Sequence, residues 1–233
     1  MSLFYQPRIQ TEPYLDEDES RHAVKVLRLG TGDALTIVDG RGGWYTAEIL
    51  RADARRCTVR LGERRQEVPR PYRIHLAIAP TKHLDRMEWM LEKCVEIGVD
   101  EISFLETRYS ERRHLKLDRL ERIAVGAMKQ SQRGYLPDLH DLRPFGPWLE
   151  AQTGGTAQRW IAHLDEGERH LLHRAAAPLG THVVLIGPEG DFSPEEIARA
   201  RQAGFRAVSL GASRLRTETA GLVAVHTLNL LNQ

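Results

Sequence analysis

The sequence predicts an α/β protein in which a small strand-rich unit precedes a larger domain of alternating strands and helices. Three observations carry this reading. Before residue 70, short β-branched and aromatic runs are separated by glycine-rich turns. Val68-Pro69-Arg70-Pro71-Tyr72 then punctuates the chain as a linker. Beyond it, apolar runs of strand length alternate with stretches repeating at helical spacing. The expected domains are residues 1–70 and 71–233.

Composition sets outer bounds. A chain of 233 residues can bury a substantial core in one large domain or two small ones. The charged fraction of 28% and net charge of +1 exclude a globally basic nucleic-acid binder and leave only local charge to argue from. Cys57 and Cys94 stand far apart with no Cys-x-x-Cys pair, which argues against a disulfide scaffold or a thiolate zinc site and fits a reducing cytosol. The first residues, Met1-Ser2-Leu3-Phe4-Tyr5-Gln6-Pro7, do not read as a signal peptide, and no apolar stretch approaches the ~20 residues of a membrane span. The expected location is the cytoplasm.

In chain order, the acidic run Asp16-Glu17-Asp18-Glu19 precedes a helical candidate over 20–29 and suits the positive end of that helix. Residues 34–39 and 44–50 read as strands joined by the hairpin loop Gly40-Arg41-Gly42-Gly43, and 56–61 as a third. Short strands with tight turns predict a small β-barrel. Arg51, Arg55, Arg56, Arg60, Arg64 and Arg65 crowd one end of this unit; two readings stand, a solvated surface or a stripe that follows a phosphate backbone.

After the linker, 73–79 is a strand, and Met87, Met90, Leu91 and Cys94 form the buried stripe of a helix that Gly98 ends. Residues 100–105 form the next strand. The basic segment 111–116 leads into a helix with Leu117, Leu120, Ile123, Ala124, Ala127 and Met128 on one face. Its polar end, 129–135, suits either a helix C-terminus or an RNA-facing edge. Residues 144–155 read as a turn-rich connection with a short helix, 159–163 as a strand and 168–176 as a helix. His170 and His173 would share a face of that helix; with no third ligand they read as surface histidines, and no metal site is expected.

Val183-Val184-Leu185-Ile186 is the most apolar run and reads as a buried strand. Gly187-Pro188-Glu189-Gly190-Asp191-Phe192 follows it. Ser193, Pro194 and Glu196 then open a helix as N-cap, first residue and capping-box partner. Taken alone, this stretch is either a well-capped turn or a ligand site at the carboxyl end of a strand. It lacks the spacing of dinucleotide and P-loop fingerprints. Residues 207–210 form one more strand. Leu215-Arg216-Thr217-Glu218-Thr219-Ala220 makes a second polar loop, in which Thr217 or Thr219 suits an N-cap, before a closing helix over 219–231. That helix lacks a broad polar face and needs cover, from its own domain or from a second subunit.

These two loops carry a family resemblance. Gly187-Pro188-Glu189-Gly190-Asp191-Phe192, then Ser209-Leu210-Gly211 followed by Leu215-Arg216-Thr217-Glu218-Thr219-Ala220, resemble the motifs of the ribosomal RNA small-subunit methyltransferase E family, of the SPOUT class. Residues 22–39 resemble its N-terminal PUA-like domain, and Lys93-Cys94-Val95-Glu96-Ile97-Gly98-Val99 and Gln130-Ser131-x-Arg133 resemble further family segments. Two departures stand out: Ser213 occupies a position where the family pattern has arginine, with Arg214 one place later, and Asp191 stands where a second glycine is usual.

The resemblance implies a SPOUT-type α/β domain with a trefoil knot behind a PUA-like β-barrel, and a homodimer formed through the C-terminal domain. It implies methyl transfer from S-adenosyl-L-methionine to N3 of a uridine in ribosomal RNA or the small ribosomal subunit, with no membrane partner. By resemblance the cofactor is held by Leu185, Ile186, Gly187, Pro188, Glu189, Gly190, Ser209, Leu210, Gly211, Leu215, Arg216, Thr217, Thr219 and Ala220, and the RNA by Arg21, His22, Arg28, Arg112, Arg113 and Arg133. Uridine N3 carries a proton, so the reaction needs a group to take it or to stabilise the anion. Glu218 and Arg216 suit those tasks; a purely structural loop, with Glu218 capping the last helix, is the other reading.

Overall fold

The computed structural model describes residues 3–152, 154–164 and 170–233. The chain divides into two compact units, residues 1–69 with 125–136, and residues 70–124 with 137–233.

The first unit holds β1 (Leu3–Tyr5), α1 (Glu17–Arg21), a π-helical turn (His22–Val26), β2 (Ala34–Val38), β3 (Gly43–Arg51) and β4 (Thr58–Gln66). Its sheet has the order β1-β2-β3-β4. The expected barrel is therefore an open sheet among the described residues: β1 and β4 are edges, and Tyr14 bridges the start of β4 at Thr58. Alternation along β3 turns Tyr45, Ala47 and Ile49 inward onto Phe4, Ile9, Leu15, Ile37 and Val59, which form the core. The helix expected over 20–29 starts earlier, because Asp16 caps α1 by accepting from the Glu19 amide at 2.8 Å. Glu19 is buried against Lys129, whose ammonium donates to its carboxylate. Burial raises the carboxyl above its ordinary range, and Lys129 opposes that rise.

The second unit contains β5 (Tyr72–Ile78), α2 (Leu84–Ile97), β6 (Glu101–Glu106), α3 (Leu117–Gln130, whose last turns belong to the first unit), β7 (Asp138–Pro144), α4 (Phe145–Ala151), β8 (Gln158–Ala162), β9 (His170–Leu171), α5 (Leu172–Ala175), β10 (Gly180–Ile186), α6 (Pro194–Gln202), β11 (Arg206–Ser209) and α7 (Thr217–Leu230). Its strands are all parallel, in the order β7-β6-β5-β10-β8-β11-β9. Parallel sheets need cover on both faces. One face packs Ala77, Ile161, Val183 and Leu185 against Phe145, Trp148 and Leu149 of α4 and Ile197 and Ala200 of α6. The other receives α7, where Gly221 lets the helix lie close on β5: a Cβ there would stand 2.9 Å from Ile78 Cδ1.

The closing helix thus finds much of its cover within its own unit, against α2, β5 and β10. His226 and Leu230 remain exposed. The helix expected over 168–176 is not the form of its described part: His170 begins the short strand β9, paired with β11, and α5 follows at Leu172, while 168–169 lie outside the described residues. His170 and His173 consequently sit on different elements, both exposed.

Candidate active site

The carboxyl ends of β8, β10 and β11 converge, and their loops enclose a cavity of about 460 Å³. This is where open parallel sheets place ligands, and the volume is within the range of small-molecule sites, roughly 300–1,000 Å³. Each wall has a local cause. β10 ends at Ile186, and Gly187 turns the chain in a space closed by Phe192: a Cβ at Gly187 would stand 3.1 Å from that ring. The Asp191 amide closes the turn on the Pro188 carbonyl at 3.0 Å. The predicted capping box then starts α6, with Ser193 Oγ accepting from the Glu196 amide and Glu196 Oε2 accepting from the Ser193 amide. Glu196 Oε1 also accepts from the Arg108 amide at 2.9 Å, tying in a neighbouring loop.

Asp191 adopts φ +65°, a conformation that explains why glycine suits the position. Its carboxylate satisfies two amides, accepting from Phe192 N at 2.8 Å and from Leu164 N at 2.7 Å. The departure from the family pattern therefore ties the 187–191 loop to the end of β8. Glu189 is likewise engaged, accepting from the Lys82 amide at 3.1 Å.

On the opposite wall, the Ser209 hydroxyl accepts from the Gly211 amide at 3.2 Å and closes the turn after β11. The last helix begins two residues before the expected Thr219. Its N-cap is Arg216, which makes no side-chain capping bond, so neither threonine caps it. The Thr217 hydroxyl instead donates to the Gly187 carbonyl. Glu218 sits in the first turn, only 6% exposed, at the cavity wall. Arg86 of α2 approaches it at 3.9 Å.

Among the residues expected to hold the cofactor, Ile186, Gly187, Pro188, Glu189, Ser209, Leu210, Gly211, Leu215, Arg216, Thr217 and Ala220 line the cavity. Leu185, Gly190 and Thr219 do not. Leu185 points into the sheet core, Gly190 backs onto Tyr109, and Thr219 stands in the first turn of α7 between the lining residues Glu218 and Ala220. Arg86, Ala162, His163, Leu164 and Val208 line it without a motif to announce them, alongside Asp191, Ser213 and Arg214, noted in the sequence only as departures.

The six residues expected to hold RNA differ in what already engages them. Arg28 is exposed at φ +57°. Arg21 pairs with Glu17 and Asp18. Burial, with Lys129 nearby, holds His22 below its ordinary range, which disfavours the charged ring that a phosphate would attract. Arg112 is committed to the Lys82 carbonyl, donating from Nε and from a terminal nitrogen, and Arg113 lies 3.6 Å from Glu106. Arg133 closes the turn after α3 through its amide, which donates to the Met128 carbonyl. On the first unit's sheet, Arg65 stacks over Trp44 and Arg64 over Tyr45.

The class of protein follows from the families that the two units match, which make the chain an RNA methyltransferase: the RNA methyltransferase domain family matches residues 68–229 and the RNA methyltransferase PUA domain family residues 15–62. Among curated proteins, the chain is 32% identical over 214 residues to ribosomal RNA small subunit methyltransferase E of Synechocystis, covering 89% of this chain and 69% of that one. It is 28% identical to the Rickettsia conorii protein of the same name, covering 93% and 89%. The chain belongs to the ribosomal RNA small subunit methyltransferase E family. Among solved structures it is similar to a probable rRNA-methyltransferase from Porphyromonas gingivalis, with a TM-score of 0.92, 45% identity and coverage of 100% and 98%. The Neisseria gonorrhoeae family member, solved bound to S-adenosyl methionine, gives 0.86 and 29% with the same coverage.

Proposed function

We propose that this protein transfers a methyl group from S-adenosylmethionine to N3 of a uridine in small-subunit ribosomal RNA. The observation that carries this reading is the cavity itself. The two motif loops meet there, and they bring a buried carboxylate, Glu218, and the exposed Arg216 to one wall. The cavity fits the cofactor. Ile186, Val208, Leu210 and Leu215 give it apolar surface, and the turns at 187–191 and 209–211 offer main-chain groups. When bound, S-adenosylmethionine supplies an electrophilic methyl group.

The chain's own residues handle the proton and the charge. Glu218 accepts the N3 proton as the new N–CH3 bond forms, and Arg216 faces the uracil carbonyl on which negative charge develops. The uridine must leave its stack to reach the cavity. Arg28 and the arginines of β4 hold the RNA backbone through the first unit.

By the same reading the C-terminal segment is threaded as a trefoil knot, two copies pair through the second unit, and the enzyme works in the cytoplasm. Leu230, near the end of α7, is exposed and offers apolar surface to such a pairing. Nucleoside mass mapping of small-subunit ribosomal RNA from cells with and without the protein tests the assignment: one N3-methyluridine should disappear. An unchanged map would overturn it. Calorimetric binding of S-adenosylmethionine separates an enzyme from an RNA-binding protein of the same fold.

A further inference from the structure

Arg86 is one of the cavity residues for which neither motif accounts. It lies on the first turn of α2, and its guanidinium reaches across to the first turn of α7, where Nη1 stands 3.9 Å from Glu218 Oε1. Its side chain is 37% exposed and that of Glu218 is 8% exposed, so the pair sits at the boundary between the cavity and the packed α2–α7 interface. Among the described residues, the other two acids of the cavity are already satisfied by main-chain amides: Glu189 by Lys82, Asp191 by Leu164 and Phe192. Glu218 differs, because among the described residues its carboxylate has a cation beside it and no amide. The remaining cations of the wall, Arg214 and Arg216, are exposed and form no ion pair among the described residues.

We propose that Arg86 is a positioning residue for the transfer reaction, holding the Glu218 carboxylate at the cavity wall and aiming it at the proton to be removed. The proposal rests on the role given to Glu218 above. With no amide to fix it, a buried carboxylate would turn freely about its last torsion; a guanidinium beside it limits that rotation more than a point charge does. Substrate entry then tightens the 3.9 Å approach, as catalytic contacts commonly do when a site fills. In the step itself, N3–H breaks with its proton passing to Glu218, the N3 pair forms the bond to the methyl carbon, and the sulfonium–carbon bond breaks to leave a neutral thioether. Arg86 gains and loses no proton.

A double-mutant cycle on the full-length protein tests this, using small-subunit ribosomal RNA and S-adenosylmethionine. The singles Arg86→Gln and Glu218→Gln and the double variant are compared for single-turnover rate, RNA KM and calorimetric affinity for S-adenosylmethionine. Arg86→Gln should slow the methyl-transfer step roughly tenfold to a hundredfold while leaving KM and cofactor affinity within about threefold. It should have no further effect on the Glu218→Gln background, and Arg86→Lys should recover part of the rate. Additive losses would overturn the positioning role, as would a lost cofactor affinity with an unchanged rate at saturation. If Glu218→Gln alone retains full rate, the reading of Glu218 fails and Arg86 falls with it. If Glu218→Gln is inactive but Arg86→Gln is as fast as the parent, Arg86 alone is wrong.

Discussion

The Thr217 hydroxyl donates to the Gly187 carbonyl at 3.1 Å, joining two loops 30 residues apart in sequence. The threonine is buried, so its side chain orders the cavity and does not cap the helix it begins. Thr217→Val keeps the shape and leaves that carbonyl without its donor, at a cost of about 1–2 kcal/mol. Calorimetry should find S-adenosylmethionine affinity lower by roughly tenfold, while Thr217→Ser binds nearly as the parent does. Full affinity in the valine variant would mean that the bond does not organise the site.

Asp191 combines a left-handed backbone with two carboxylate–amide bonds. Asp191→Ala removes the bonds and keeps a Cβ where glycine is favoured, so urea unfolding should show a loss of about 2–3 kcal/mol. Asp191→Gly relieves the backbone part and should recover about 1 kcal/mol of that loss. If the glycine variant is the weaker of the two, the strain argument is wrong.

Acid should loosen the second unit through His75. Buried between Trp148 and the β6 side chains, with Nε2 2.9 Å from Ser103 Oγ, it is pushed down to about 4 by desolvation, against the pull of Glu101. Because the folded-state value lies below the ordinary 6.5, the unfolded chain takes up the proton first. The stability due to neutral His75 is complete above about pH 6.5 and drains as pH falls toward 4. Between pH 7.5 and 5 the loss should be about 2 kcal/mol more in the parent than in His75→Gln. Parallel curves for the two proteins would refute this.

On the proposed function, the arginines should differ as RNA contacts by what each already holds. Arg28 is exposed and belongs to no ion pair among the described residues. Arg28→Gln should lower the slope of log affinity against log salt by about 1. Arg112 spends its donors on the Lys82 carbonyl. Arg112→Gln should leave the slope nearly unchanged and lower stability by about 1 kcal/mol. Filter binding over a salt series reads the first effect, and thermal unfolding the second.

The elements legible in the sequence are those whose residues decide their own structure. The stripe of Met87, Met90, Leu91 and Cys94, the capping box at Ser193 and the apolar strand before Gly187 all behave as their spacing demands. Elements set by their neighbours were not legible. β1 is three residues long and exists by pairing with β2, and β9 is two residues that extend the sheet beside β11. β7 is an edge strand whose charged composition hides it among turns. The cavity's motif walls were visible because their glycines and polar residues cluster. Arg86 was not, since a basic residue in the first turn of an amphipathic helix carries no mark of what it faces.

Glu19 and Lys129 lie 110 residues apart in sequence, and residues 125–136 belong to the first compact unit. That unit is therefore finished out of order. As the polypeptide emerges during translation, β1 to β4 are complete while the lysine that offsets a buried carboxylate has yet to be made. At synthesis rates of about 5–20 residues per second the interval lasts several seconds. A nascent fragment ending at residue 70 would hold Glu19 without its partner.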